Sequence, residues 1–427
     1  MKIRELIKNI DYVYLQGNLD DEVKGLAHDN RLLKPQEGFI CIAGTRFDSH
    51  DLISDVVAKG ASLIVVEKDV ELPEGVCAIR VKSSREVSPL LAEAFYDYPA
   101  RKLKTVAITG SKGKTTSTHM MADIFRAAGY KTGTIGTNGA IMPVFDVSKT
   151  KVVNADLYHP IDCEETAGHY VYELANTTPD AMEMQMYLAL MVECGCTHVV
   201  IEVSSQAMKM HRVDGMEFDY GIWTNLDFTD HIGGFEHKDE DDLICCKANM
   251  INQSRIGFLN RDDRSLHRFE AYLNEGKTLY YYGESENVDY RVSNITKTFD
   301  GYPGICFDVS GKTEGRVNIN LPGGRGCGRQ AGIQRKPLDR VAGGGSRPGG
   351  LQETRLLSAG GDGGGLQGVS GRPEGTAQYA GGPGCPVFER GFAPGAGPLC
   401  LRAAFPLFLW RLFPGEVSRA DRHHRVP

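Results

Sequence analysis

Apolar and polar positions follow two periods along the chain, and the switches between them mark out its elements. A continuous apolar run such as "GASLIVVE" (60–67) predicts a buried strand, and "VSPLLAEAFYDYP" (87–99) predicts a helix closed by proline. From residue 103 the two kinds alternate. "TVAIT" leads into a helix over 114–128, "KTGTIGT" is followed by a helix over 180–193, and then come "THVVIEVS", "FDYGIWTNL", a helix over 240–251 and "RIGFLN". Strand–helix alternation predicts a parallel sheet with helices on both faces. Residues 277–321 change to alternating apolar and polar positions ("TLYYYG", "GICFDVS", "RVNINLP"), the pattern of antiparallel strands. No internal repeat is visible.

Composition changes this picture at one place. The 427 residues carry a net charge of −7 and 41% hydrophobic residues, as a globular protein of about three domains would. Residues 323–427, however, hold 25 of the 50 glycines and 10 of the 19 prolines, with thirteen arginines, one lysine, no asparagine and no methionine. Glycine and proline at that level without a period predict disorder instead of a domain. The remaining 1–322 divide into an N-terminal α/β domain (1–102) and a central parallel-sheet domain (103–322). No apolar run reaches the length of a membrane span: "LCLRAAFPLFLWRLFP" (399–414) is cut by Arg402, Pro406 and Arg411. "MKIRELIKNIDYVYL" has no apolar core of a signal peptide, and eleven cysteines without a framework fit reduced thiols in a cytosol. The acidic balance gives no case for nucleic acid.

The chemistry gathers at strand ends. "TGSKGKTTS" (109–117) follows a strand and opens a helix, the setting of a phosphate loop. Gly110, Ser111, Lys112, Gly113, Lys114, Thr115 and Thr116 would cradle the phosphates, with Lys114 on the outer ones and the Thr115 hydroxyl on Mg²⁺. Two residues separate its glycines, Gly110 and Gly113, instead of four, and an ordinary glycine turn is the bland alternative. Glu202 closes "HVVIE" where open α/β sheets collect ligands; a solvent-facing acid would look the same in sequence. Asn225, Asp230 and His231 end the next strand. Lys247 lies in the apolar stretch "LICCKANM", where a lysine is costly unless paired, modified or snorkelling. Asn260 and Asp263, in "FLNRDD", suit either a nucleotide's base and ribose or a helix cap.

Together, "HDNRLLKPQEGFICIAGTRFDSHDLI", "TGSKGKTTS", "NTTPDAMEMQ", "IEVSSQAM", "HRVDG", "TNLDFTDH", "CCKANM" and "LNRDD" resemble the Mur ligases, in family order, over residues 20–322. Within the family the branch forming the UDP-N-acetylmuramoyl tripeptide is most similar. The resemblance implies an ATP-dependent cytoplasmic ligase, a monomer, joining a free amino acid to a UDP-N-acetylmuramoyl dipeptide through an acyl phosphate. Carried over by position, Lys114 grips ATP, Thr115, Glu202 and His231 surround Mg²⁺, and Lys247 is carbamylated and supports a second Mg²⁺. Asn30, Asn176, Thr177, Thr178, Ser204 and Arg212 hold the UDP substrate, and Asn260 and Asp263 lie near adenine and ribose.

The sequence also departs from the family. Asn30 stands in place of a serine, Gln206 of a histidine and Met210 of a glutamine, and the connector over 140–175 is long. Past "NINLPG" the family pattern stops, which reads as a frameshift replacing the C-terminal domain and leaving the chain inactive. Two other readings compete: a folate-polyglutamate-type ligase, against which 28–53 and "NTTPD" argue, and a non-catalytic nucleotide- or UDP-sugar-binding remnant. For the tail itself, an arginine-bearing segment that binds nucleic acid is the alternative.

Overall fold

A computed structural model describes residues 1–320 except 45–46, 163–167, 229–231, 234–235 and 300–302. The Gly-rich segment and the expectation of disorder attached to it lie outside the described residues.

The N-terminal part runs α1 (Ile3–Leu6), β1 (Val13–Gln16), β2 (Leu26–Ala27), β3 (Gly38–Ile40), α2 (Ile53–Ala58), β4 (Leu63–Val66), β5 (Cys77–Arg80) and α3 (Ser84–Phe95). Its five strands are ordered β1-β5-β4-β3-β2, all parallel but β1. In β4 each residue is buried, and neighbours feed opposite cores. Leu63 and Val65 pack with α1 and α3, whereas Ile64 and Val66 pack with α2. The continuous apolar run follows from covering both faces.

The central part runs β6 (Lys104–Thr109), α4 (Lys114–Ala127), β7 (Thr132–Gly136), β8 (Gly139–Pro143), β9 (Ile161–Asp162), β10 (His169–Tyr172), α5 (Ala181–Glu193), β11 (His198–Glu202), α6 (Ser205–Lys209), β12 (Phe218–Trp223), α7 (Glu240–Asn252), β13 (Ser254–Asn260), α8 (Leu266–Glu270), β14 (Thr278–Gly283), β15 (Tyr290–Phe299), β16 (Pro303–Gly311) and β17 (Gly315–Asn320). These strands form one twelve-stranded sheet ordered β17-β16-β15-β14-β13-β12-β6-β11-β7-β8-β10-β9. From β14 to β7 the pairing is parallel. Ala107, Ile201, Trp223 and Leu259 face a core shared with α5 and α7. Val106, Ile108, Val200, Ile222 and Phe258 face the opposite core, with Met121 and Phe125 of α4 and Phe307 and Val309 of β16. The alternation in sequence is thus a three-layer arrangement with helices on both faces.

Two features differ from the expected pattern. "TLYYYG" (β14) is parallel to β13, since α8 carries the chain back over the sheet between them. Antiparallel pairing starts only at β15–β16–β17. Alternation reports how a strand is buried and not which way its partner runs, so the two were inseparable in sequence. The long connector over 140–175 also supplies strands: β8, β10 and β9 extend the sheet antiparallel beyond β7. It is tied to the N-terminal part as well, by Lys34–Asp156 at 2.9 Å and by Tyr96 Oη donating to the Val153 carbonyl at 3.1 Å.

Candidate active site

Chain order reverses at β6. The first crossover leads by α4 to β7, the later strands β12 and β13 lie on the other side, and the ends of β6, β11 and β12 open a crevice between them. The glycine loop over 109–117 occupies that crevice. Gly110 has φ +143°, and a Cβ there would lie 2.0 Å from Thr224 Oγ1, so the close approach to β12's end requires glycine. Gly113, at φ +86°, precedes α4 with no side-chain cap, which leaves the first-turn N–H groups for an anion.

The segment after β12 holds the loop in shape. Ser111 N donates to the Asn225 carbonyl (2.9 Å), Lys112 N to Asn225 Oδ1 (3.0 Å), and Thr224 Oγ1 to the Lys112 carbonyl (2.8 Å). Behind that segment stand Asn260 and Asp263. Asn260 Nδ2 donates to the Thr224 carbonyl (2.7 Å), while Asp263 accepts from Leu226 N (3.0 Å) and from Ser265 N, ahead of α8 (2.9 Å). Both are buried and internally partnered; their visible work is to brace the loop's support, and the capping alternative is not met, since α8's N-cap is Ser265 and no side chain caps it.

Lys114 Nζ donates to the carbonyls of Gly110 (2.9 Å) and Ser111 (3.3 Å). Burial lowers its pKa, opposed by the charge of Glu202. Lys247, 1% exposed on α7, donates to the same Gly110 carbonyl at 3.1 Å. Burial, and then the Lys114 charge, hold its ammonium well below the ordinary lysine range. The snorkelling alternative is therefore absent from the structure, and two amines converge beneath one loop carbonyl.

Glu202 is fully buried at the end of β11. Its Oε2 accepts from Thr115 Oγ1 (2.9 Å) and Thr137 Oγ1 (3.2 Å), its Oε1 from Thr137 N (3.1 Å). Burial raises its pKa; the Thr115 and Thr137 hydrogen bonds and Lys114 pull the other way. A Cβ on Gly136 would meet Oε1 at 2.1 Å, so the carboxylate sits against bare backbone. A hydroxyl and a carboxylate meeting beside a glycine loop are oxygen donors of the kind that hard divalent cations take. Sequence reading missed Thr137; a hydroxyl immediately after β7, in "GTIGT", was the available signal. His231 lies outside the described residues.

Of the expected substrate residues, four share one wall. Thr178 Oγ1 donates to the Glu202 carbonyl (2.8 Å) and accepts from Ser204 N (3.0 Å). Arg212 Nη1 donates to the Thr178 carbonyl (2.8 Å), and Thr177 Oγ1 lies 3.1 Å from Thr137 Oγ1. Asn176 is exposed beside them. A cavity of about 320 Å³ opens onto Arg212, Met210, Arg85 and Phe47. Asn30 does not line it: its Nδ2 donates to Asp55 Oδ2 at 3.0 Å. A second cavity, of about 350 Å³, is walled by Asp29, Arg31 and Glu183 together with Asn154, Leu157 and Tyr158 of the long connector.

Known proteins are similar to the chain across the same region. A profile described as the Mur ligase middle domain matches residues 108–325, ending where composition changes. The UDP-N-acetylmuramoyl-L-alanyl-D-glutamate--2,6-diaminopimelate ligase 2 of Clostridium acetobutylicum is 30% identical, over 76% of this chain and 61% of its own length. The corresponding ligase of Cytophaga hutchinsonii is 32% identical, over 73% and 58%. Among solved structures, one of a UDP-N-acetylmuramoyl-L-alanyl-D-glutamate--2,6-diaminopimelate ligase shares the fold at TM-score 0.57 and 16% identity, covering 75% of this chain and 60% of that one. The chain thus spans about three fifths of the length of these relatives. Loop, strand-end carboxylate, buried lysine and matched span agree: the chain belongs to the Mur ligase middle-domain family.

Proposed function

We propose that the chain is the substrate- and nucleotide-binding part of an ATP-dependent amide ligase. It would add a free amino acid to UDP-N-acetylmuramoyl-L-alanyl-D-glutamate in cytoplasmic peptidoglycan-precursor synthesis, as a monomer. The observation that carries this reading is the Thr115–Glu202 contact at 2.9 Å beside a glycine loop that also holds Lys114. Residues 1–102 would bind the UDP end, 103–322 ATP, and 323–427 would replace, out of frame, the domain that closes over both.

Lys114 and the uncapped start of α4 would hold the γ-phosphoryl group while a carboxylate of the dipeptide attacks it in line and ADP departs. The acyl phosphate then meets the amine; the amide bond forms, phosphate leaves and the amine gives up a proton. Thr115 and Glu202, with His231, would hold Mg²⁺, which neutralises phosphate charge when bound. A neutral Lys247 amine can add CO₂ and release a proton, turning a costly buried cation into an anionic ligand. Arg212 suits the substrate's anionic oxygens.

The test is titration of the chain truncated after Pro322 with a non-hydrolysable ATP analogue and Mg²⁺. Saturable binding that falls at least about tenfold in Lys114→Ala, a loss of about 1.4 kcal/mol, is expected. Equal binding by both chains refutes the loop assignment. Arg212→Ala should weaken the UDP substrate and spare the ATP analogue.

A further inference from the structure

We propose that Cys194 and Cys196 are a redox-active pair that closes to an intramolecular disulfide when a peroxide oxidises it. The two sulfurs face each other at 3.7 Å across the turn joining α5 to β11. Gly195 between them takes φ +82°, a left-handed turn that brings alternate side chains to one side. Cys194 is half-buried and reachable, and Cys196 is buried behind it. Among the described residues no other two cysteines have their sulfurs in contact: Cys246 lies against Asp242 and Cys245 against Asn249.

The surroundings supply what such a pair needs. Lys131 Nζ would lie 3.4 Å from a Cβ on Gly195, so an ammonium sits against the turn. A nearby cation favours the thiolate, the form that attacks. At rest, Cys194 donates to the Met191 carbonyl at 3.3 Å. The hydrogen bond from Cys196 brings its pKa below the ordinary thiol value against the opposing effect of burial, with backbone N–H groups and the Lys131 charge adding smaller contributions.

The chemistry balances with hydrogen peroxide as oxidant. The Cys194 thiolate takes one peroxide oxygen to become a sulfenic acid, and the other leaves as water after gaining a proton. Cys196 sulfur then attacks Cys194 sulfur; the S–S bond forms, the sulfenic oxygen leaves, and the Cys196 proton completes a second water. Two electrons pass from the sulfurs to the peroxide. The sulfurs close from 3.7 Å to the roughly 2.05 Å of a disulfide by rotating two side chains of one short turn. The pair lies at the end of β11 opposite Glu202, so the step needs neither ATP nor the UDP substrate.

Graded hydrogen peroxide on the reduced full chain, followed by alkylation under denaturing conditions and peptide mass mapping, tests this. In most molecules the peptide spanning 194–196 should be lighter by two hydrogens and unalkylated at both sulfurs. Dithiothreitol should restore alkylation fully. In Cys196→Ser, the disulfide should give way to a sulfenic acid at Cys194, captured by dimedone. Both sulfurs staying alkylatable at peroxide levels that oxidise exposed thiols would overturn the proposal. So would irreversible sulfinic acid at Cys194 in the unaltered chain. Mass and reversal are read on that chain, so a Cys196→Ser variant that failed to fold would leave the test intact.

Discussion

Glu202 shows how one buried side chain joins stability to chemistry. Burial raises its carboxyl pKa above the unfolded value, so the folded state binds that proton more tightly. The resulting stabilisation is present at low pH and is lost as pH rises through the raised value. At neutral pH the ionised carboxylate is a burden only partly relieved by Thr115 and Thr137. Glu202→Gln should therefore unfold at the parent temperature or about 2–4 °C above it at pH 7, with the gap closing in acid. Magnesium-dependent binding of the ATP analogue should meanwhile weaken roughly ten- to hundredfold. A Tm well below the parent at neutral pH would show that the carboxylate is structural. Lys247 calls for a different experiment. In a chain given a relative's C-terminal domain, Lys247→Ala should lose most ligase activity and regain part of it with added short carboxylic acids; full activity of the variant would refute the proposed carbamate role. Both residues were legible in sequence because each breaks a local rule, an acid and a lysine set in apolar runs. The bracing roles of Asn260 and Asp263 were not, since their partners Thr224 and Leu226 are about 36 residues away in sequence and adjacent only in the fold.

At the scale of elements, β11 carries a second titrating group at its other end. His198 lies between Phe125 and Tyr130, with ring centroids 4.8 and 4.3 Å away, and is buried. Burial, and then the Lys104 charge, lower its pKa to about 4, with Asp219 opposing. The unfolded imidazole takes its proton first as pH falls, so the contribution is whole above about pH 6.5 and fades toward pH 4. Denaturant unfolding followed from pH 7 to 4 should show a falling midpoint, and His198→Gln should flatten that slope. An unchanged slope would assign the acid sensitivity elsewhere. Strand and helix spans of the parallel core were legible because their residues alternate between two cores, as Ala107 and Ile108 do. The β8–β10–β9 extension was hidden. Its strands are short, and in "HYVY" only Tyr172 is fully buried, so no apolar period marks it.

At the scale of the whole molecule, Mur ligase chemistry requires water to be kept from an acyl phosphate. Residues 323–427 offer few regularly spaced apolar positions and much glycine, whose ordering is costly. Amide formation by the chain as written should be undetectable, whereas replacing residues 323–427 with a relative's C-terminal domain should recover it; equal turnover by both would mean that the tail supplies what the family's third domain does. The start of α4 bears on the same question. It opens at Gly113 with no side chain to satisfy its first turn, and the loop before it is stapled to Thr224 and Asn225. Those groups suit an anion. If the chain binds nucleotide as proposed, the ligand would also tie down the centre of the sheet: at a hundred times its dissociation constant it would shift the folding equilibrium by about 2.7 kcal/mol. Nucleotide supply would then set how readily this chain opens to proteolysis, even where no ligation takes place.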